Sequence, residues 1–215
     1  MESNGHLAFG DLQVRDVLVA GKGARQMSSA GARFSNVVFE KLNVVFSLGG
    51  GQVLTSLKNC VFDRCVLRGP GGAGWMNFEG CEFRGSTLRN MILLGSSFVG
   101  CKLSGKIVNS VFCASLSAND IKQGVKTKND IVDNDFTECA FDAVGFRGGV
   151  DLERQRLPVD QPGLLCVDGQ TAVKALYERF ARGKPDTDDL ASCVHVLKEE
   201  VEDGQTHLYI SPTSP

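Results

Sequence analysis

Residues 76–103 read MNFEGCEFRGSTLRNMILLGSSFVGCKL, and a bulky residue returns at every fifth position: Phe78, Phe83, Leu88, Leu93, Phe98, Leu103. Two places before each stands a second series: Met76, Cys81, Ser86, Met91, Ser96, Cys101. A helix repeats at about 3.6 residues and a strand at about 2, so neither produces this spacing. A short fixed repeat marks a solenoid, in which each unit buries its apolar face against its neighbours.

The same register extends in both directions. Upstream, Cys60-Val61-Phe62 and Cys65-Val66-Leu67 repeat the unit, as do Ala32-Arg33-Phe34, Val37-Val38-Phe39 and Leu42-Asn43-Val44. Leu7-Ala8-Phe9, Leu12-Gln13-Val14 and Val17-Leu18-Val19 keep the spacing with larger first residues. Downstream, Ser110-Val111-Phe112, Asn134-Asp135-Phe136, Cys139-Ala140-Phe141 and Val144-Gly145-Phe146 continue it. The phase slips by one extra residue at Gly69-Pro70-Gly71-Gly72-Ala73-Gly74 and is one residue short between Leu103 and Ile107. Such slips fit loops or bulges. Excursions are expected over Gly69–Trp75 and Ala118–Asn129.

These residues resemble the pentapeptide-repeat family, whose pattern is a small residue, any residue, then Leu or Phe. The similarity extends to bacterial members with no assigned activity through Val144–Leu152 and Gln155-Arg156-Leu157-Pro158. The resemblance implies an all-β solenoid, a right-handed quadrilateral β-helix, over residues 7–150. Each unit would form one side of a square coil, with bulky and small residues inside. Met76, Met91, Leu42 and Val144 are large for the small position, so distortion is expected there.

Cys60, Cys65, Cys81, Cys101 and Cys139 occupy the small inward position, and free cysteine behaves there as a small buried hydrophobe. Cys81 and Cys101 should stack in successive coils as reduced thiols. Cys166, Cys193, His195 and His207 have a ligand-like look, but their spacing matches no standard zinc site. No metal and no cofactor are expected. The chain has no apolar run long enough to span a bilayer, and the first residues lack the pattern of a signal peptide. A cytosolic protein is the expectation.

Past Phe146 the repeat stops, and Pro158 and Pro162 mark a linker. Residues 151–215 read as a C-terminal module of two helices and a short strand. Val173, Leu176, Tyr177 and Phe180 line one helix, while Leu190, Val194, Leu197 and Val201 line the next. A solenoid end needs a cover, so the module caps the stack. The same stripes also suit a homodimer or partner interface.

Charge separates the functional classes. Residues 1–150 carry 16 basic and 13 acidic side chains, whereas residues 151–215 carry 7 and 12. Some members of the resembled family protect type II topoisomerases by imitating DNA with an acidic rod. This slightly positive solenoid disfavours that role, which stands as the alternative. Lys122, Lys126 and Lys128 could meet phosphate, but no aromatic platform accompanies them, so nucleic acid is disfavoured. A hydrolase is the distant third: Asp168 and His195 have no nucleophile-elbow sequence, and the glycine run lacks a P-loop lysine. Trp75 either pins its loop to the wall or anchors a partner. The leading expectation is a non-catalytic protein-binding scaffold with an immunity or regulatory role. Its candidate surface is Arg68, Trp75, Arg84, Arg89, Lys122, Lys126 and Lys128, with Arg68 and Arg89 stacked one coil apart.

Overall fold

The computed structural model describes residues 2–3, 5–21, 23–48, 53–69, 75–159, 164–182 and 188–210. Short strands stack in parallel register and wrap into a β-solenoid with four walls. The first wall carries His6–Phe9, Gln26–Ser29, Ile92–Leu93 and residues 111–112 and 145–146. The second carries Gln13–Arg15, Arg33–Ser35, Thr55–Lys58, Met76–Glu79, Ser96–Val99 and Ile131–Val132. The third runs through Leu18–Ala20, Val38–Glu40, Val61–Asp63 and residues 82–84. Residues 43–45, Val66–Arg68, 87–89, 106–108 and 140–142 make the fourth. Long strands such as Lys102–Cys113 and Asp135–Arg147 bend from wall to wall.

The repeat produces this because each bulky residue points inward and meets its counterpart one coil away. Phe39, Phe62 and Phe83 are paired in register on the third wall. Their rings stack with centroids 4.7 Å apart at both steps. On the second wall Phe78 stacks on Phe98 at 4.5 Å. Phe98→Ala would empty this close-packed interior at about 3–5 kcal/mol. Cys60, Cys81 and Cys101 are buried beside these rings, and none of the three forms a disulfide. The Cys81 thiol donates to Leu57 O at 3.4 Å and the Cys101 thiol to Phe78 O at 3.5 Å.

The shortened phase after Leu103 is a bulge. Phe83 faces Leu103, but Ser86 faces Gly105, so one residue drops out of the lower coil. Residues 70–74, which hold most of the first expected excursion, lie outside the described residues. The second excursion contains a short helix, α1 (Ala118–Lys122), whose start is capped by Ser117 and Asp120 in a reciprocal box.

Parallel pairing runs past residue 150, with Asp135 bridged to Arg156. The last turn is closed by a polar plug. Asn134 Nδ2 donates to Phe98 O and to Gln155 Oε1, while Cys101 N donates to Asn134 Oδ1. Gln155 Nε2 donates in turn to Ile131 O and Asp151 O.

The C-terminal module adds Leu164–Cys166, helices α2 (Gly169–Arg182) and α3 (Asp188–Glu202), and Leu208–Ile210, which pairs antiparallel with Leu164–Cys166. The strand Leu164–Cys166 has no counterpart in the sequence reading. Buried Gln205 fastens the module: its Oε1 accepts from Gly149 N and Val150 N, and its Nε2 donates to Val150 O. Tyr209 meets Phe141 edge-on at 5.5 Å, and Arg147 Nε lies 2.8 Å from Glu200 Oε1 on α3. No helix among the described residues is long and apolar enough to cross a membrane.

Candidate functional site

The interior is filled by the repeat itself, so the groups able to meet another molecule stand on the outer rows of the walls. Many outer charges are paired, some within a coil and some across coils. On the second wall Lys58 Nζ lies 2.6 Å from Glu79 Oε1. On the third, Arg64 Nη2 reaches Asp63 at 2.7 Å and Glu40 at 3.3 Å, and Arg84 Nη2 reaches Glu82 at 2.7 Å. Lys102 meets Glu138, Arg154 meets Asp133 and Arg156 meets Asp135 farther along the stack. Arg84 beside Glu82 holds that carboxyl below its ordinary range. Exposed pairs of this kind add little to stability, and together they set alternating sign along the rod.

The fourth wall differs. Arg68 and Arg89 are direct register partners, as the spacing predicts, and Lys106 is the partner of Thr87 in the same strand as Arg89. All three are exposed, and among the described residues their side chains have no hydrogen-bond or ion-pair partner. Lys106 was missed by the sequence reading because the one-residue slip obscures its row.

Two candidate residues require correction. Trp75 is 6% exposed and packs at the wall, so it is not an exposed anchor. Lys126 is not a free cation either. Its ammonium donates to Met76 O, Gly95 O, Ser97 Oγ and Asn129 Oδ1 at 2.9–3.3 Å. Burial pushes its pKa down to about 8, and Asp130 opposes that shift. Asn129 supports the anchor, its Nδ2 donating to Leu94 O and Cys113 O. Of the remaining candidates, Arg84 is spent on Glu82, Lys128 pairs with Asp130 at 2.9 Å, and Lys122 is exposed on α1. The seven residues therefore do not form one surface; of the exposed ones, Arg68 and Arg89 stand side by side as register partners.

The residues considered for catalysis have structural employment. Asp168 Oδ1 accepts from Thr171 N at 3.0 Å and so caps α2. His195 Nε2 lies 3.3 Å from Glu199 on its own helix. Asp151, Glu153 and His207 bring ligand atoms within 4.8 Å of one another where the module meets the coil. Asp151 Oδ1 there accepts from Glu153 N and lies 3.5 Å from His207 Nδ1. A hollow of about 330 Å³ opens beside them between the excursion and the last turn, lined by Ser115, Asp130, Gly149 and Arg154 among others.

The run of inward bulky residues at fixed five-residue spacing coincides with a family match: the model described as pentapeptide repeats (8 copies) covers residues 75–105. This is a pentapeptide-repeat protein. No curated protein matches the chain. In this pentapeptide-repeat protein the matched segment supplies Arg84 and Arg89, and the parallel stack continues to either side of it.

Proposed function

We propose that this pentapeptide-repeat protein is a non-catalytic scaffold that binds a protein partner through the outside of its solenoid, in an immunity or regulatory role. The observation that carries this reading is the fixed placement of the outer side chains. Parallel register holds them in rows about 4.8 Å apart, over an interior of stacked phenylalanines. A surface ordered before contact loses little conformational entropy on binding, which favours affinity.

The test begins with recovery of interacting proteins from the native host on immobilised full-length chain. Each candidate is then purified and titrated calorimetrically. A saturable, stoichiometric complex is expected with one of them. If none forms a complex in purified form, the scaffold reading fails.

A further inference from the structure

We propose that the fourth wall is the docking surface and that its partner is an acidic protein segment; this deepens the scaffold reading and rests on it. Two outward rows define the wall. Asn43, Val66, Thr87 and Lys106 follow one another in register in successive coils, and so do Val45, Arg68, Arg89 and Val108. Arg68 and Arg89 are thus held about one strand spacing apart, with Lys106 one coil beyond. Like charges placed directly across a strand pair repel. On the second and third walls the same fold sets carboxylates beside its cations; here it sets Thr87, Asn43 and valines beside Arg68 and Arg89, and the carboxylate of these rows, Asp142, comes only one coil after Val108. An incoming carboxylate relieves the repulsion and offers the guanidiniums two-pronged hydrogen bonds.

The valines extend the argument from charge to contact. Val45 and Val66 are half-buried beside the arginines and open to contact, while Val108, next to Arg89 in the row, is buried. Arginine interleaved with apolar side chains on a flat, ordered surface suits a protein interface. Nucleic acid is a poorer fit. A duplex carries one charge per ~1.7 Å of axis and calls for a broad basic band. This cluster holds three cations, and Asp142 follows Val108 in the row.

Fluorescence anisotropy of the full chain with a fluorescein-labelled peptide of alternating Glu and Val provides the test. Binding should tighten at low salt. It should weaken by about tenfold or more in the Arg68→Glu, Arg89→Glu, Lys106→Glu triple variant, and stay unchanged in Lys122→Glu. Circular dichroism of each variant should show a native fold, since the three side chains have no partner among the described residues. No binding by the wild type, or equal binding by the folded triple variant, overturns the proposal. Tighter binding of a 12-base-pair DNA duplex that the same triple variant abolishes also overturns it, in favour of a nucleic-acid surface. A purified host partner that binds the triple variant undiminished removes this wall and leaves the scaffold reading standing.

Discussion

At the scale of single residues, the coil turns on a position the sequence reading passed over. The residue two places after the bulky one adopts a left-handed conformation at Asn36, Asn59, Gly80, Asn90, Gly100 and Asn109. Glycine and asparagine tolerate that conformation best, so their recurrence there was readable beside the bulky and small series. Lys41, Arg64 and Ala143 adopt it against their preference. Ala143→Gly should therefore stabilise by about 0.5–1 kcal/mol in urea unfolding. Gly105 is the opposite case: at φ 111° its missing Cβ would strike the Ser86 carbonyl, so Gly105→Ala should cost about 3 kcal/mol. Gly100→Ala meets open space and should cost only about 1 kcal/mol, from its φ alone. The inward cysteines add a pH dependence. Burial raises Cys65 from 9.0 to about 11 and Cys139 from 9.0 to about 12. The folded chain keeps protons that the unfolded chain releases, so this stability is intact below pH 9 and lost as pH rises toward 11–12. Lys126, lowered from 10.5 to about 8, acts with the opposite sign over pH 8 to 10.5. Unfolding free energies from pH 8 to 11 should show a net decline that is smaller in Cys65→Ala, relative to that variant's own value at pH 8.

Among the elements, the excursion between Phe112 and Ile131 shows what a repeat can and cannot announce. The period stops after Phe112, so a departure from the walls was legible. The return of Lys126 was not. Its partners Met76, Gly95 and Ser97 lie 50, 31 and 29 residues away in sequence, and no local pattern encodes contacts of that range. Lys126 thus works as an anchor that holds the excursion against the second wall. Lys126→Met removes all four donated hydrogen bonds while keeping much of the apolar stem. Trypsin should then cut at Lys122 and Lys128 several-fold faster than in the wild type, where both sites are exposed but tethered. Unchanged cleavage rates would show that α1 and Asn129 hold the segment without the ammonium. The polar plug that closes the last turn was half legible. Asn134 stands where the repeat places a small residue, but Gln155 lies beyond the periodic region and meets it only in three dimensions. Asn134→Ala leaves Cys101 N and Phe98 O without their partners, so it should cost about 2–4 kcal/mol. Thermal unfolding of that variant measures the loss.

For the whole molecule, the arrangement of charge decides which surfaces the rod can imitate. A DNA-like ligand must offer a topoisomerase a continuous negative face. Here the second and third walls alternate in sign through Lys58 with Glu79, Arg64 with Glu40 and Arg84 with Glu82. The fourth wall is locally positive at Arg68, Arg89 and Lys106. Acidic excess is confined to residues 151–215, and part of it is already engaged: Glu199 with His195, Glu200 with Arg147 and Glu202 with Lys198. Like charges facing each other across an interface oppose association by several kcal/mol in unfavourable cases. The purified protein is therefore expected to leave DNA gyrase supercoiling unchanged at stoichiometric concentration, and to give no protection against a quinolone. A supercoiling assay titrated with the wild type measures this directly. Inhibition that vanishes when Glu199, Glu200, Glu202 and Asp203 are neutralised, with the fold retained, would place an acidic patch of α3 in a topoisomerase's basic channel and reverse the argument from sign.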